Sequence, residues 1–139
     1  MLIPKKVKHR KWQKGRNRWR TSETRGLSVS YGQYGLKALE SAWLNSRQIE
    51  SARRAVTNYL KREGRLWVRV FPDKPVTIRP PETTMGGGKG AVDHYVFPVR
   101  PGRVILEVDG VTREVAHEAL KRAGYKLPFK SRVIEKENA

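Results

Sequence analysis

The chain has 139 residues, with 30 Lys and Arg against 13 Asp and Glu and a formal charge of +17 at pH 7. That length suits one domain with a real core, and such self-repulsion is tolerated most readily when the working partner is a polyanion. With no cysteine, disulfides and thiolate metal sites are excluded, and His9, His94 and His117, far apart in sequence, are the imidazoles left; no metal, cofactor or small-molecule substrate is expected. No apolar run approaches the ~18 residues of a spanning helix, so nucleic acid is favoured over a membrane surface. The opening Met1-Leu2-Ile3-Pro4-Lys5-Lys6 has no apolar signal region, the pattern expected of a protein that stays in the compartment where it is made.

Residues 5 to 20 form a basic arm: Lys5, Lys6, Lys8, Arg10, Lys11, Lys14, Arg16, Arg18 and Arg20 stand there with no acid among them. Trp12 and Trp19 interleave these charges and offer flat faces for stacking beside the counterions. From Leu27 the texture changes to alternation, Leu27, Val29 and Tyr31 against Ser28 and Ser30, which predicts a half-buried strand punctuated by Gly32 and Gly35. A helix follows. Asn45 is its cap, Gln48 closes a capping box, and Leu44 with Ile49 makes a hydrophobic staple. Ile49, Ala52, Val56, Tyr59 and Leu60 form the inward stripe, Gly64 is the expected left-handed stop, and Arg47, Arg54 and Lys61 lie opposite, with Glu50 set to pair with Arg54.

"RLWVRVF" at 65–71 reads as a strand with Leu66, Val68 and Val70 on one side and Arg65, Trp67, Arg69 and Phe71 on the other. Pro72 to Pro75 turn the chain, "VTI" suggests a short strand, and Pro80-Pro81 cannot belong to a central one. "HYVFPV" and "RVILEV" predict two strands joined as a hairpin by Arg100-Pro101-Gly102. Thr112 is placed to cap a second helix with Val115, Ala116, Ala119, Leu120 and Ala123 inward and Gly124 as its stop, leaving His117 off the stripe; "FKSRVI" supplies a last strand. This order predicts an α+β fold, a mixed sheet with two helices packed on one face in a split β-α-β, hammerhead-like arrangement. The basic arm is expected to take residues 1–26, and a single α+β domain residues 27–139, the two together binding nucleic acid.

The stretch Thr84-Met85-Gly86-Gly87-Gly88-Lys89-Gly90 has the composition of a phosphate-binding loop but not the pattern. A P-loop needs a glycine five residues before Gly88, where Thr83 stands, and Ser or Thr after the lysine, where Gly90 stands. The dinucleotide fingerprint counted from Gly86 and Gly88 reaches Ala91 at its third glycine. Prolines precede the loop and a strand follows it, so no helix dipole holds a mononucleotide. Such a loop is expected to be mobile until a large partner orders it.

The strings "MLIPKKVKHR", "SYGQYGLKALESAWLNSRQIESARRA", "GRLWVRVFPDKP", "MGGGKG", "RPGRVILEVDGV" and "KLPFK" together resemble the bacterial branch of the universal large-subunit ribosomal protein family numbered sixteen, over nearly the whole chain. The resemblance implies a non-catalytic RNA-binding protein of the cytoplasmic ribosome that joins the large subunit late. It implies contact with large-subunit ribosomal RNA, with neighbouring ribosomal proteins, and with tRNA in the A site and by extension the P site, near the peptidyl-transferase centre. It assigns the ribosomal RNA to Lys5, Lys6, Lys8, Arg10, Lys11, Lys14, Arg16, Arg18, Arg47, Arg54 and Lys74. Arg79, Met85, Gly86, Gly87, Gly88, Lys89 and Gly90 become the loop facing tRNA. One departure stands out: the family commonly carries an arginine, hydroxylated in some bacteria, immediately before the Met-Gly motif, and here that residue is Thr84. The modification does not carry over, and Arg79 is the nearby cation offered in its place.

Two other classes compete. A DNA-binding architectural protein outside the ribosome would share the charge, yet no heptad or apolar dimer face beyond the core stripes is apparent. An RNA-modifying enzyme would need a base or nucleophile at a pocket, and Asp73, Glu82, Asp93, Glu107 and Asp109 sit at turns and strand ends without a paired motif.

Overall fold

The structure is a computed structural model and describes residues 1–15 and 21–137. Among the described residues, seven strands and two helices follow one another as β1 (Tyr34–Ala38), β2 (Ala42–Asn45), α1 (Ser46–Leu60), β3 (Arg65–Val68), β4 (Lys74–Ile78), β5 (Ala91–Val99), β6 (Val104–Asp109), α2 (Arg113–Gly124) and β7 (Ser131–Glu135). The α+β class and the two helices are as the sequence predicts. The strands divide between two sheets, β3-β6-β1-β7 and β2-β5-β4, and every pairing among the described residues is antiparallel, so two sheets stand in place of one mixed one.

Helix α1 shows why its start was legible. Asn45 Oδ1 accepts from the Gln48 backbone N–H at 2.9 Å and Gln48 Oε1 accepts from the Asn45 N–H at 3.0 Å, closing the capping box within four residues. Ile49, Ala52, Val56 and Leu60 are buried. They share one core with Ala116, Ala119, Leu120 and Ala123 of α2 and with Leu36, Leu106 and Val108 of the four-stranded sheet. The predicted stop at Gly64 lies elsewhere: the helix ends at Leu60, and Lys61 (φ 50) takes the left-handed conformation itself. Gly64, also left-handed at φ 70, serves the sheet, since a Cβ there would stand 2.4 Å from the Asp109 carbonyl where β3 enters beside β6. Thr112 precedes α2 without a side-chain cap bond, and Gly124 is the last helical residue rather than a left-handed stop, the chain continuing right-handed through Tyr125.

Two strand expectations are corrected. Residues 27–31 form no strand, and β1 begins instead at Tyr34. Three consecutive amides, of Ser30, Tyr31 and Gly32, converge on the Glu107 carboxylate at 3.0, 2.7 and 3.0 Å, a geometry no alternating ladder permits. The predicted hairpin between 94–99 and 103–108 also fails. β5 pairs with β2 and β4 while β6 pairs with β1 and β3, so both edges of each strand are occupied and Arg100–Arg103 pass the chain from one sheet to the other. Within that passage Gly102 N–H donates to the Ala38 carbonyl and Ala38 N–H to the Arg103 carbonyl, each at 2.8 Å. The strand β2 has no counterpart in the sequence reading, because four residues leading straight into a capped helix show no alternation of their own.

Candidate nucleic-acid interface

The cations of the arm, Lys5, Lys6, Lys8, Arg10, Lys11 and Lys14, are all exposed. Arg16 and Arg18, with Trp19, lie outside the described residues. At its start the arm approaches α1, where Met1 shares a shallow groove with Arg47, Glu50, Arg54 and Lys126. Arg47 and Arg54 both face outward there. The predicted Glu50–Arg54 pair is present at 3.2 Å, and Arg53 adds a closer contact to the same carboxylate at 2.5 Å. Hydrogen bonding from Arg53 is the main reason the Glu50 carboxyl is lowered to about 2, so it stays ionised and offsets part of the helix's positive charge.

Further along, the arm reaches the β4–β5 hairpin. Lys74, the first residue of β4, does not face solvent: it is 8% exposed, donates to the Gln13 carbonyl at 2.8 Å, and has the Trp12 and Trp43 rings 5.7 and 5.6 Å from its ammonium. The glycine stretch forms the connection from β4 to β5, which pair from Lys74↔Val96 to Ile78↔Ala91. Gly86, Gly87 and Gly88 all have positive φ, 99, 77 and 99, so the loop's path uses backbone angles that side-chain-bearing residues seldom adopt. Met85 is 99% exposed and a Cβ at Gly86 or Gly88 would meet nothing within 4 Å, so the tip projects into open space. Arg79 sits beneath it, donating to the Gly86 carbonyl at 2.5 Å and to Thr84 at 3.4 Å; Gly90 admits that arginine, since a Cβ there would lie 2.7 Å from Arg79 Cγ. Lys89 is exposed, and its ammonium donates to the Trp12 carbonyl.

Other basic residues turn inward, a use that composition alone does not reveal. Arg69 binds the buried Glu107, and Arg103 packs over Phe97 at 5.2 Å while donating to the Arg69 carbonyl at 3.0 Å. On α2 and β7 acids and bases pair with one another, Glu118 with Arg122, and Glu135 with Arg113 and His117. Trp43 is the residue of this region that sequence reasoning missed; its signal was an aromatic in a segment otherwise read only as the approach to a helix cap. Among the described residues, no group of three or more His, Asp or Glu could hold a metal ion.

Among the described residues, exposed cations concentrate on an arm, one helix face and a projecting loop, the charge distribution of a protein that binds a polyanion. Residues 4–134 match the sequence model of the family described as Ribosomal protein L16p/L10e. The large ribosomal subunit protein uL16 of Trichodesmium erythraeum (strain IMS101) is 53% identical over 137 residues, covering 99% of this chain and 98% of the relative. The chain belongs to this ribosomal protein family. It is a structural constituent of the large subunit of the cytoplasmic ribosome, not an enzyme, and its partners are ribosomal RNA and other ribosomal components.

Proposed function

We propose that the chain works as a basic arm, residues 1–26, on one α+β domain, residues 27–139, and that the two grip different parts of the ribosomal RNA. The arm cations from Lys5 to Arg18 neutralise phosphates, and Arg47 and Arg54 extend that surface across α1. Lys74 contributes by seating the arm on the domain. The loop built from Arg79 and Met85 to Gly90 reaches toward tRNA in the A site, with P-site tRNA as a further contact, and helps shape the approach to the peptidyl-transferase centre.

The observation that carries this reading is the projection of the loop: its tip stands clear of the body, with Met85 almost wholly exposed, and its three left-handed glycines keep a backbone edge bare for a bulky partner. The test is a photo-crosslinker attached at Met85→Cys in subunits rebuilt with the variant and filled with A-site tRNA. Crosslinks to the tRNA are expected, and crosslinks confined to ribosomal RNA or protein would overturn the assignment of the loop.

A further inference from the structure

The arm and the glycine loop meet through two lysines. The Trp12 carbonyl accepts from the Lys89 ammonium, the Lys89 carbonyl accepts from Lys11 Nζ at 3.0 Å, and the Gln13 carbonyl accepts from Lys74 Nζ at 2.8 Å. Three consecutive arm residues therefore engage both ends of one hairpin, because Lys74 opens β4 and Lys89 stands two residues before the start of β5. Side chains reinforce the backbone contacts. The Lys74 ammonium lies within cation–π reach of both Trp12 and Trp43, and its burial strengthens that attraction by removing competing water. A cleft of about 210 Å³ follows the seam between Trp12, Trp43, Lys74, Thr77 and Lys89.

The loop thus has two supports of different kinds. Arg79 holds its first half from below, at the Thr84 and Gly86 carbonyls. Its second half is held from the side by the arm, at Lys89. Between these supports lie Gly87 and Gly88, whose backbones have the freedom to swing if either support is removed.

We propose that Trp12 is a positioning residue for the glycine loop: its ring seats the arm against Lys74 and Trp43, and the carbonyl so placed holds Lys89 and sets the direction of the tip. The arm is then more than a phosphate anchor, because whatever unseats it also loosens the loop, and the two are coupled through a shared equilibrium. This goes beyond the RNA contacts proposed above and does not depend on which RNA the loop meets.

The absence of cysteine from the chain makes site-specific labelling direct. Spin labels at Met85→Cys and Glu63→Cys, both on exposed positions, report the tip's distance from the body in the free full-length protein by pulsed electron paramagnetic resonance. A narrow distribution is expected in the parent. Trp12→Ala and, separately, Lys89→Met should each roughly double its width, while Trp12→Phe, which keeps a flat ring, should remain near the parent. A second pair, Glu63→Cys with Arg132→Cys, monitors the body; if Trp12→Ala disturbs that pair, the exposed Lys89→Met decides the outcome. Unchanged widths in Lys89→Met, or a Trp12→Phe distribution as broad as that of Trp12→Ala in a body left intact, would overturn the proposal.

Discussion

Arg69, the residue after β3 ends, closes against Glu107 of β6, a carboxylate with no solvent exposure, and so completes a set of donors that fastens residues 30–32 to the sheet. Tyr31 covers the pair, with the Arg69 guanidinium 5.0 Å above its ring and Trp67 stacked at 6.2 Å. Leu106 and Val108 belong to the core beneath the helices, so Glu107 between them points to the opposite face. There the irregular segment lies over it as a lid.

The pair sets an acid limb to the stability curve. Burial by itself raises the Glu107 pKa, but the N–H groups of Ser30, Gly32 and Tyr31, with Arg69, outweigh it and hold the carboxyl below its ordinary value. A carboxyl depressed in the folded state stabilises fully above the unfolded value of about 4.3, and that contribution is lost as pH falls through the folded value. Glu107→Gln should cost about 3 kcal/mol at pH 7, because it strands a largely buried guanidinium, and the difference should shrink toward pH 3. Urea titrations at the two pH values measure this; a difference independent of pH would show that shape, not charge, is what Glu107 supplies.

Ile49 tests the core. It is 2% exposed at the start of the α1 stripe, and Ile49→Ala should lower stability by about 2–5 kcal/mol. At temperatures where the variant remains folded, its affinity for a ribosomal RNA fragment should match that of the parent. Normal melting with weakened RNA binding would contradict its inward role.

The arm's charges should appear in salt dependence. Each phosphate neutralised contributes about −0.7 to −0.9 to the slope of log affinity against log salt. Replacing the exposed Lys5, Lys6 and Lys8 together by Gln should therefore flatten the slope by about 2. Filter binding across a salt series gives the slope directly, and an unchanged value would remove these residues from the interface.

In the loop, stability and function should separate. Gly87→Val with Gly88→Val places β-branched residues at φ 77 and 99, which costs free energy if the path is retained. The tip is unpacked and can relax, so the free protein's melting temperature should move by no more than about 2 °C, as is usual for surface changes away from packed features. Translation by subunits rebuilt with the variant should fall. Early melting would place the loop within the fold, and normal translation would make it a passive connector.

Features that close within a few residues were readable from the chain alone. The Asn45–Gln48 capping box, the Ile49–Leu60 stripe and the Glu50–Arg54 pair each join groups one to three helical turns apart or less, so their geometry follows from local backbone preference. The acid-free arm and the glycine-rich stretch were readable because charge and backbone freedom are properties of composition. What tertiary structure decided were the uses of residues whose partners are remote in sequence. Alternation at 27–31 suggested a strand, yet its amides answer to a carboxylate about 76 positions away, at Glu107. Strands β5 and β6 looked like a hairpin, but which strand edges stand open depends on β1, β2, β3 and β4 arriving from elsewhere. Lys74 looks alike in sequence to the arm lysines, and only the folded hairpin brings it against Trp12 and Gln13, where desolvation and aromatic faces turn a phosphate-seeking cation into an internal fastener, while Lys89 stays exposed and reaches the Trp12 carbonyl from the loop.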